Sequence, residues 1–132
     1  MRSHVWALPL LVLLAAAPAA AQGGAALAVD EMTFCTAVQD RAPAGVDTAF
    51  ASTVEVVYCF TKVSGAADTT AVSHVWYFGD REIARVELAV KGSPWRTWSS
   101  KKIAPEWQGI WRVDVLAPDG AVLKSASFAV RP

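Results

Sequence analysis

Short runs of alternating apolar and polar residues, each cut after roughly 8 to 14 residues by Gly, Pro, Asp or Ser, constrain this chain more than any other feature. Met32, Phe34, Thr36 and Val38 alternate as a first strand would, and the segment stops at residues 40–47, a turn-rich stretch holding Pro43 and Gly45. In residues 53–63, the strongest run, Val54, Val56, Tyr58 and Phe60 share one face while Val57, Cys59, Thr61 and Val63 share the other. Apolar side chains on both faces mark a strand packed between layers. Residues 70–78 place Val72, His74, Trp76 and Phe78 on one face and Ala71, Ser73, Val75 and Tyr77 on the other. Gly79-Asp80 leads as a hairpin into residues 83–90, where Ala84, Val86, Leu88 and Val90 face inward and Arg85 and Glu87 face water. Residues 95–101, 110–116 and 121–130 complete the set, the last two joined by Pro118-Asp119-Gly120, in which Pro presets φ and Gly accepts a positive φ.

No stretch between these turns keeps a helical period for as long as about ten residues. The expectation is therefore an all-β fold, an immunoglobulin-like antiparallel sandwich of about seven strands, with a small β-barrel as the alternative.

Ahead of the strands, Arg2 and His4 give a short polar start, residues 5–17 are apolar, and Pro18 breaks the run before Ala19-Ala20-Ala21, a small-x-small cleavage signal. The run is shorter than the roughly 20 residues that cross a bilayer. Residues 1–21 thus read as a signal peptide, residues 22–28 as a flexible Gly/Ala-rich stub and residues 29–131 as one domain, with no stable membrane span after cleavage. A lipid anchor would need a cysteine where Gln22 stands. The expected location is periplasmic or extracellular. Because 12 Lys+Arg balance 12 Asp+Glu, there is no basic field for nucleic acid.

Export changes how Cys35 and Cys59 read, since two cysteines in an oxidising compartment usually pair. A Cys35–Cys59 disulfide would close a loop of about 25 residues and stabilise the fold by roughly 3 to 4 kcal/mol. Whether it would bridge the sheets or join neighbouring strands is open. Two buried free thiols are the alternative. A zinc site is poorly supplied, with only His74 beyond the leader to join the two cysteines, and no cofactor or metal is implied.

Of the 6 tryptophans all but Trp6 fall between positions 76 and 111: Trp76, Trp95, Trp98, Trp107 and Trp111. Such a group either anchors a core or makes a binding surface. Strand parity puts Trp95 and Trp98 on opposite sides, so one of the two is expected to be exposed or covered by a loop. The functional reading places Trp107 with the outward member of that pair, flanked by Tyr77 and Arg96, in a stacking or cation–π platform. Its competitor makes Trp76, Trp111 and one of the pair core, with Trp107 plugging the sandwich end.

Catalytic patterns fare worse. His74 shares its face with Val72, Trp76 and Phe78, which favours a satisfied imidazole over a general base. Ser99-x-x-Lys102 has a nucleophile–base spacing that belongs on a helical turn, yet it lies in a β segment. No G-x-S-x-G, phosphate-cradling loop or H-E-x-x-H occurs. No catalytic residue is assigned.

Taken together, Ser73-His74-Val75-Trp76-Tyr77, Trp95-Arg96-Thr97-Trp98-Ser99-Ser100-Lys101, Pro105-Glu106-Trp107-x-Gly109-x-Trp111-Arg112-Val113 and Asp119-Gly120 with Phe128 resemble the bacterial domain-of-unknown-function family 2914. Asp40-Arg41-x-Pro43 and Tyr58-x-Phe60-Thr61 resemble its amino-terminal half, so the resemblance extends over about residues 28–130. It implies an envelope or membrane-associated setting and carries no established activity. The resulting expectation is an exported, non-catalytic module that binds a protein or envelope polymer through Tyr77, Arg96, Trp98 and Trp107. Two other classes remain: a structural or assembly module pairing through an edge strand such as residues 122–130, and an enzyme acting on envelope material, which would need His74 near Asp80 or Glu106.

Overall fold

The alternating runs become strands in the computed structural model, which describes residues 27–132. The signal peptide and all but the last two residues of the stub lie outside the described residues. Ten strands follow in order: β1 (Ala28–Cys35), β2 (Ala37–Gln39), β3 (Ala42–Ala44), β4 (Ala49–Ala51), β5 (Val56–Ser64), β6 (Thr70–Phe78), β7 (Arg81–Val90), β8 (Trp95–Lys102), β9 (Gly109–Leu116) and β10 (Val122–Arg131). No helix occurs among the described residues. A three-stranded sheet, β1-β5-β8, faces a five-stranded sheet, β4-β10-β9-β6-β7. This is an immunoglobulin-like sandwich, in which a short strand, here β4, runs parallel to the last strand at one edge.

The count exceeds the expected seven because three short strands form in and on either side of the stretch read as turn-rich, β3 within it, β2 before it and β4 after it. Asp40 and Arg41 take φ of 52° and 62°, a two-residue turn with both φ positive that closes β2 on β3. This hairpin folds back over the outer face of the three-stranded sheet, β2 against β5 and β3 against β1. It also ends β1 at Cys35, short of Val38.

Register separates the faces. Val57, Cys59 and Val63 of β5 meet Trp76, Val72, Val113, Val115 and Phe128 from the opposite sheet in two apolar clusters. Phe60 falls on the other face, yet it is only 1% exposed, because Trp98 stacks on it at 6.0 Å on the side where the hairpin lies.

The disulfide expected from the sequence is not formed; Cys35 and Cys59 are free, buried thiols. Cys35 is registered with Tyr58, and Cys59 with Phe34, on the adjacent strands β1 and β5. Paired residues share a face and neighbours alternate, so one sulfur points beneath the hairpin and the other into the inter-sheet core. A bridge needs Cβ atoms that converge, and these diverge. Burial raises the thiol pKa of both, so neither is readily ionised.

Strand β10 is not a simple edge. It lies between β9 and β4, although β4 covers only Ala129–Arg131.

Candidate functional site

The motif residues His74, Trp76 and Ser99 meet in the centre of the sandwich. His74 and Trp76 are inward on β6, Ser99 and Thr97 lie on β8, and Thr61 lies on β5. The Thr61 hydroxyl donates to the Thr97 carbonyl at 2.9 Å, which uses its only proton. It must therefore accept from Nε2–H of His74, 3.2 Å away. Nδ1 of His74 is then bare and accepts from the Ser99 hydroxyl at 2.6 Å, whose oxygen in turn accepts Nε1–H of Trp76 at 3.0 Å. Every donor in the chain has an acceptor, and the order works only with a neutral imidazole. Burial pushes the His74 pKa down to about 4, in agreement with that tautomer. His74 is 0% exposed, and neither Asp80 nor Glu106 is among its partners.

The Gly109-x-Trp111 piece builds the adjoining end of the core. Gly109 has φ of 139°, which a side chain would strain, and the Phe78 ring lies in van der Waals contact, 3.4 Å from the position a Cβ would take. Trp111 is fully buried and donates Nε1–H to the Trp107 carbonyl at 3.2 Å, which fixes the connection between β8 and β9. Ring centroids of Trp107, Phe78 and Trp111 form a near-equilateral triangle with sides of 5.4, 5.6 and 5.0 Å. Phe78 and Trp111 touch each other, and both pack on the Trp107 indole.

Trp107, half-buried, lines an open groove of ≈ 660 Å³ at the end of the sandwich, together with Glu55, Val56, Lys101, Lys102, Ile103 and Glu106. Lys101 is registered with Val57 on the inward face of β8, and Lys102 with Val56. Glu55 stands at the opposite lip with φ of 69°, its carbonyl accepting the Ile103 amide at 2.8 Å. Among the described residues, none of these four charges takes part in a salt bridge. The groove thus joins a half-buried indole, an aliphatic floor, two ammonium groups and two carboxylates.

The four residues expected to form one platform are dispersed. Tyr77 lies on the outer face of the five-stranded sheet with the Arg112 guanidinium 4.1 Å above its ring, and Arg112 is held by Asp114 at 3.0 Å. Arg96 and Trp98 lie on the outer face of the three-stranded sheet, registered with Lys62 and Phe60. Trp107 alone lines the groove. Neither Trp95 nor Trp98 is fully exposed; both are half-buried, Trp95 packing on the core cluster around Val63 with Arg41 5.8 Å from its ring centre. Glu55 and Val56 escaped the sequence reading because the loop before β5 has no glycine to announce the left-handed residue. Lys101 and Lys102 were visible beside the tryptophan cluster, but their approach to Trp107 depends on how the chain returns after Ile103.

These features define the class: an immunoglobulin-like β-sandwich with a hydrogen-bonded polar chain through its core and an aromatic groove at one end. Within it, residues 69–130 match the family described as "Protein of unknown function (DUF2914)", which spans β6 to nearly the end of β10 and includes His74, Trp76, Ser99, Trp107 and Trp111. Asp40-Arg41-x-Pro43 and Tyr58-x-Phe60-Thr61 precede the matched stretch. No curated protein matches the chain. Among solved structures, a crystal structure of beta-glucosidase from Listeria innocua in complex with glucose is similar over 81% of this chain and 16% of that one, at 9% identity and a TM-score of 0.45. The chain spans less than a fifth of that enzyme, and a likeness of this size bears on neither activity nor ligand.

Proposed function

We propose that this chain is an exported, non-catalytic binding module of the bacterial envelope whose ligand occupies the groove beside Trp107. The observation that carries the reading is the double setting of that half-buried indole, which packs on Phe78 and Trp111 and also lines the groove. A tryptophan held rigidly from behind presents a flat apolar face at little entropic cost, the property that makes such residues binding anchors. Two ammonium groups and two carboxylates around it balance, so the groove suits a neutral or zwitterionic stretch of a protein or envelope polymer and offers no net attraction to a polyanion. Both nitrogens of His74 are committed within the core, away from the groove, which supports the non-catalytic reading. The leader motif and the family resemblance support the envelope setting.

The test is co-sedimentation of the full chain with washed envelope material. Trp107→Ala is expected to lose most of the bound fraction, while Trp98→Ala and Arg96→Ala, altered on a different face, keep it. Retention unchanged in Trp107→Ala would overturn the proposal.

A further inference from the structure

Three of the four edge strands of the two large sheets are short, interrupted or guarded. β4 has only three residues, β1 carries a register shift between Val29 and Glu31, and β8 ends in two adjacent lysines, Lys101 and Lys102. β7 differs. It has ten residues without proline, pairs along one side with β6, and among the described residues no strand pairs with its other side. A bulge opposite Trp76 and Tyr77 bends the Arg81–Ile83 end out of line and leaves the strand regular from Ala84 onward. There the inward row is apolar: Ala84, Val86 and Leu88 are registered with Trp76, His74 and Val72. Val86 and Leu88 are only half-buried, so part of this apolar row stays accessible at the border, although Leu88 packs on the core and β8 approaches β7.

We propose that two copies of this chain pair antiparallel through β7 about a two-fold axis at Val86, giving a sheet continuous across both. The choice of partner and register rests on charge complementarity. Paired residues share a face, so a copy must keep the apolar row opposite an apolar row, which restricts the register to shifts of two residues. With the axis at Val86, Arg85 of each copy lies opposite Glu87 of the other, twice by symmetry, and Ala84 lies opposite Leu88. Moving the axis to Arg85 sets arginine on arginine, and moving it to Glu87 sets glutamate on glutamate. Arg85 and Glu87 are both exposed, and Arg85 pairs with Glu82 of its own strand at 3.1 Å. Of these three registers, only the one centred on Val86 sets opposite charges against each other. The pairing uses no residue of the Trp107 groove and stands apart from the binding proposal.

An interface of this size belongs to the weak, transient class. The full chain is therefore followed by sedimentation equilibrium from roughly 1 μM to 1 mM at low salt. The expected result is a monomer–dimer equilibrium that Arg85→Glu or Glu87→Arg alone weakens about ten-fold or more, and that the double exchange Arg85→Glu/Glu87→Arg restores. Both side chains are exposed, so folding is retained and is checked by tryptophan fluorescence. Amide exchange along β7 that slows as concentration rises is the second readout. A monomer across the whole range, a dimer indifferent to the single exchanges, or one that the double exchange does not restore would each overturn the proposal.

Discussion

The hydroxyl of Ser99 lies 2.6 Å from Nδ1 of His74, and through that contact a strand of the three-stranded sheet is hydrogen-bonded across the core to a strand of the five-stranded sheet. Most sandwiches join their sheets by apolar packing alone. Here the polar chain fixes which residues of β6 and β8 face one another, because sliding either strand by two residues would strand several buried donors and acceptors.

Ser99→Ala removes the hydroxyl that serves both His74 and Trp76, leaving Nδ1 and the indole N–H buried without partners. Each unsatisfied group costs about 1 to 3 kcal/mol, so the loss of unfolding free energy is expected to be about 2 to 4 kcal/mol. Urea unfolding followed by tryptophan fluorescence measures it. A change below about 0.5 kcal/mol, the usual scale for a surface substitution, would mean that the chain carries no such role.

Acid provides a separate probe of the same imidazole. His74 is held neutral, with its pKa lowered from 6.5 to about 4 by burial. Above the unfolded value neither state binds the proton, and stability is at its full level. Between about pH 6.5 and pH 4 the unfolded chain protonates first, so stability falls with pH, and below the folded value the loss is complete. The whole window is worth about 3 kcal/mol. Stability measured in steps from pH 7 to pH 4 should show this decline, and His74→Gln should flatten it, apart from carboxylate effects at the acid end. An identical slope in the variant would be inconsistent with a buried neutral imidazole.

How much was legible follows from what each residue type signals locally. Alternation in β5 through β10 survives tertiary packing because burial on one face demands it, and the Pro118-Asp119-Gly120 turn appears as read, with Gly120 at φ of 93°. The hairpin over residues 37–44 was hidden because neither Asp40 nor Arg41 advertises a left-handed conformation as Asn-Gly would. The H-x-W and S-S motifs were visible as a pattern, but which of their residues touch is set by the facing of two sheets. Parity correctly separated Trp95 from Trp98, whereas the gathering of Tyr77, Arg96, Trp98 and Trp107 failed because it assigned strands on opposite outer faces to one surface. Compartment suggested a disulfide, whereas the structure holds two free thiols that the register sets on opposite faces of the sheet.

Thiol chemistry should follow the register. Protein recovered from an oxidising compartment is expected to yield two titratable thiols per chain in denaturant and almost none while folded, since Cys35 and Cys59 are both 0% exposed and burial disfavours their thiolates. Cys35→Ser and Cys59→Ala should each leave one thiol and no mixed species. A Cys35–Cys59 peptide recovered by non-reducing mapping would contradict the divergent side-chain directions.

Glu55 joins backbone strain to the groove. A non-glycine residue at φ of 69° crowds its own Cβ against the following carbonyl, at a cost of roughly 1 to 2 kcal/mol. The conformation is held because the Glu55 carbonyl must reach the Ile103 amide, which closes the lip of the groove. Glu55→Gly removes the crowding and keeps that hydrogen bond, while adding freedom to the unfolded chain that returns roughly 0.5 to 1 kcal/mol. The net expectation is a gain of about 0.5 to 1 kcal/mol in stability, read as a higher urea midpoint at unchanged m-value. If the carboxylate contacts the ligand, the same variant binds envelope material less well although it is more stable, the opposing pair of changes that marks strain kept for function. A variant less stable than the parent would show that the left-handed backbone at Glu55 is not strained, and would remove it as a distinguishing feature of the groove.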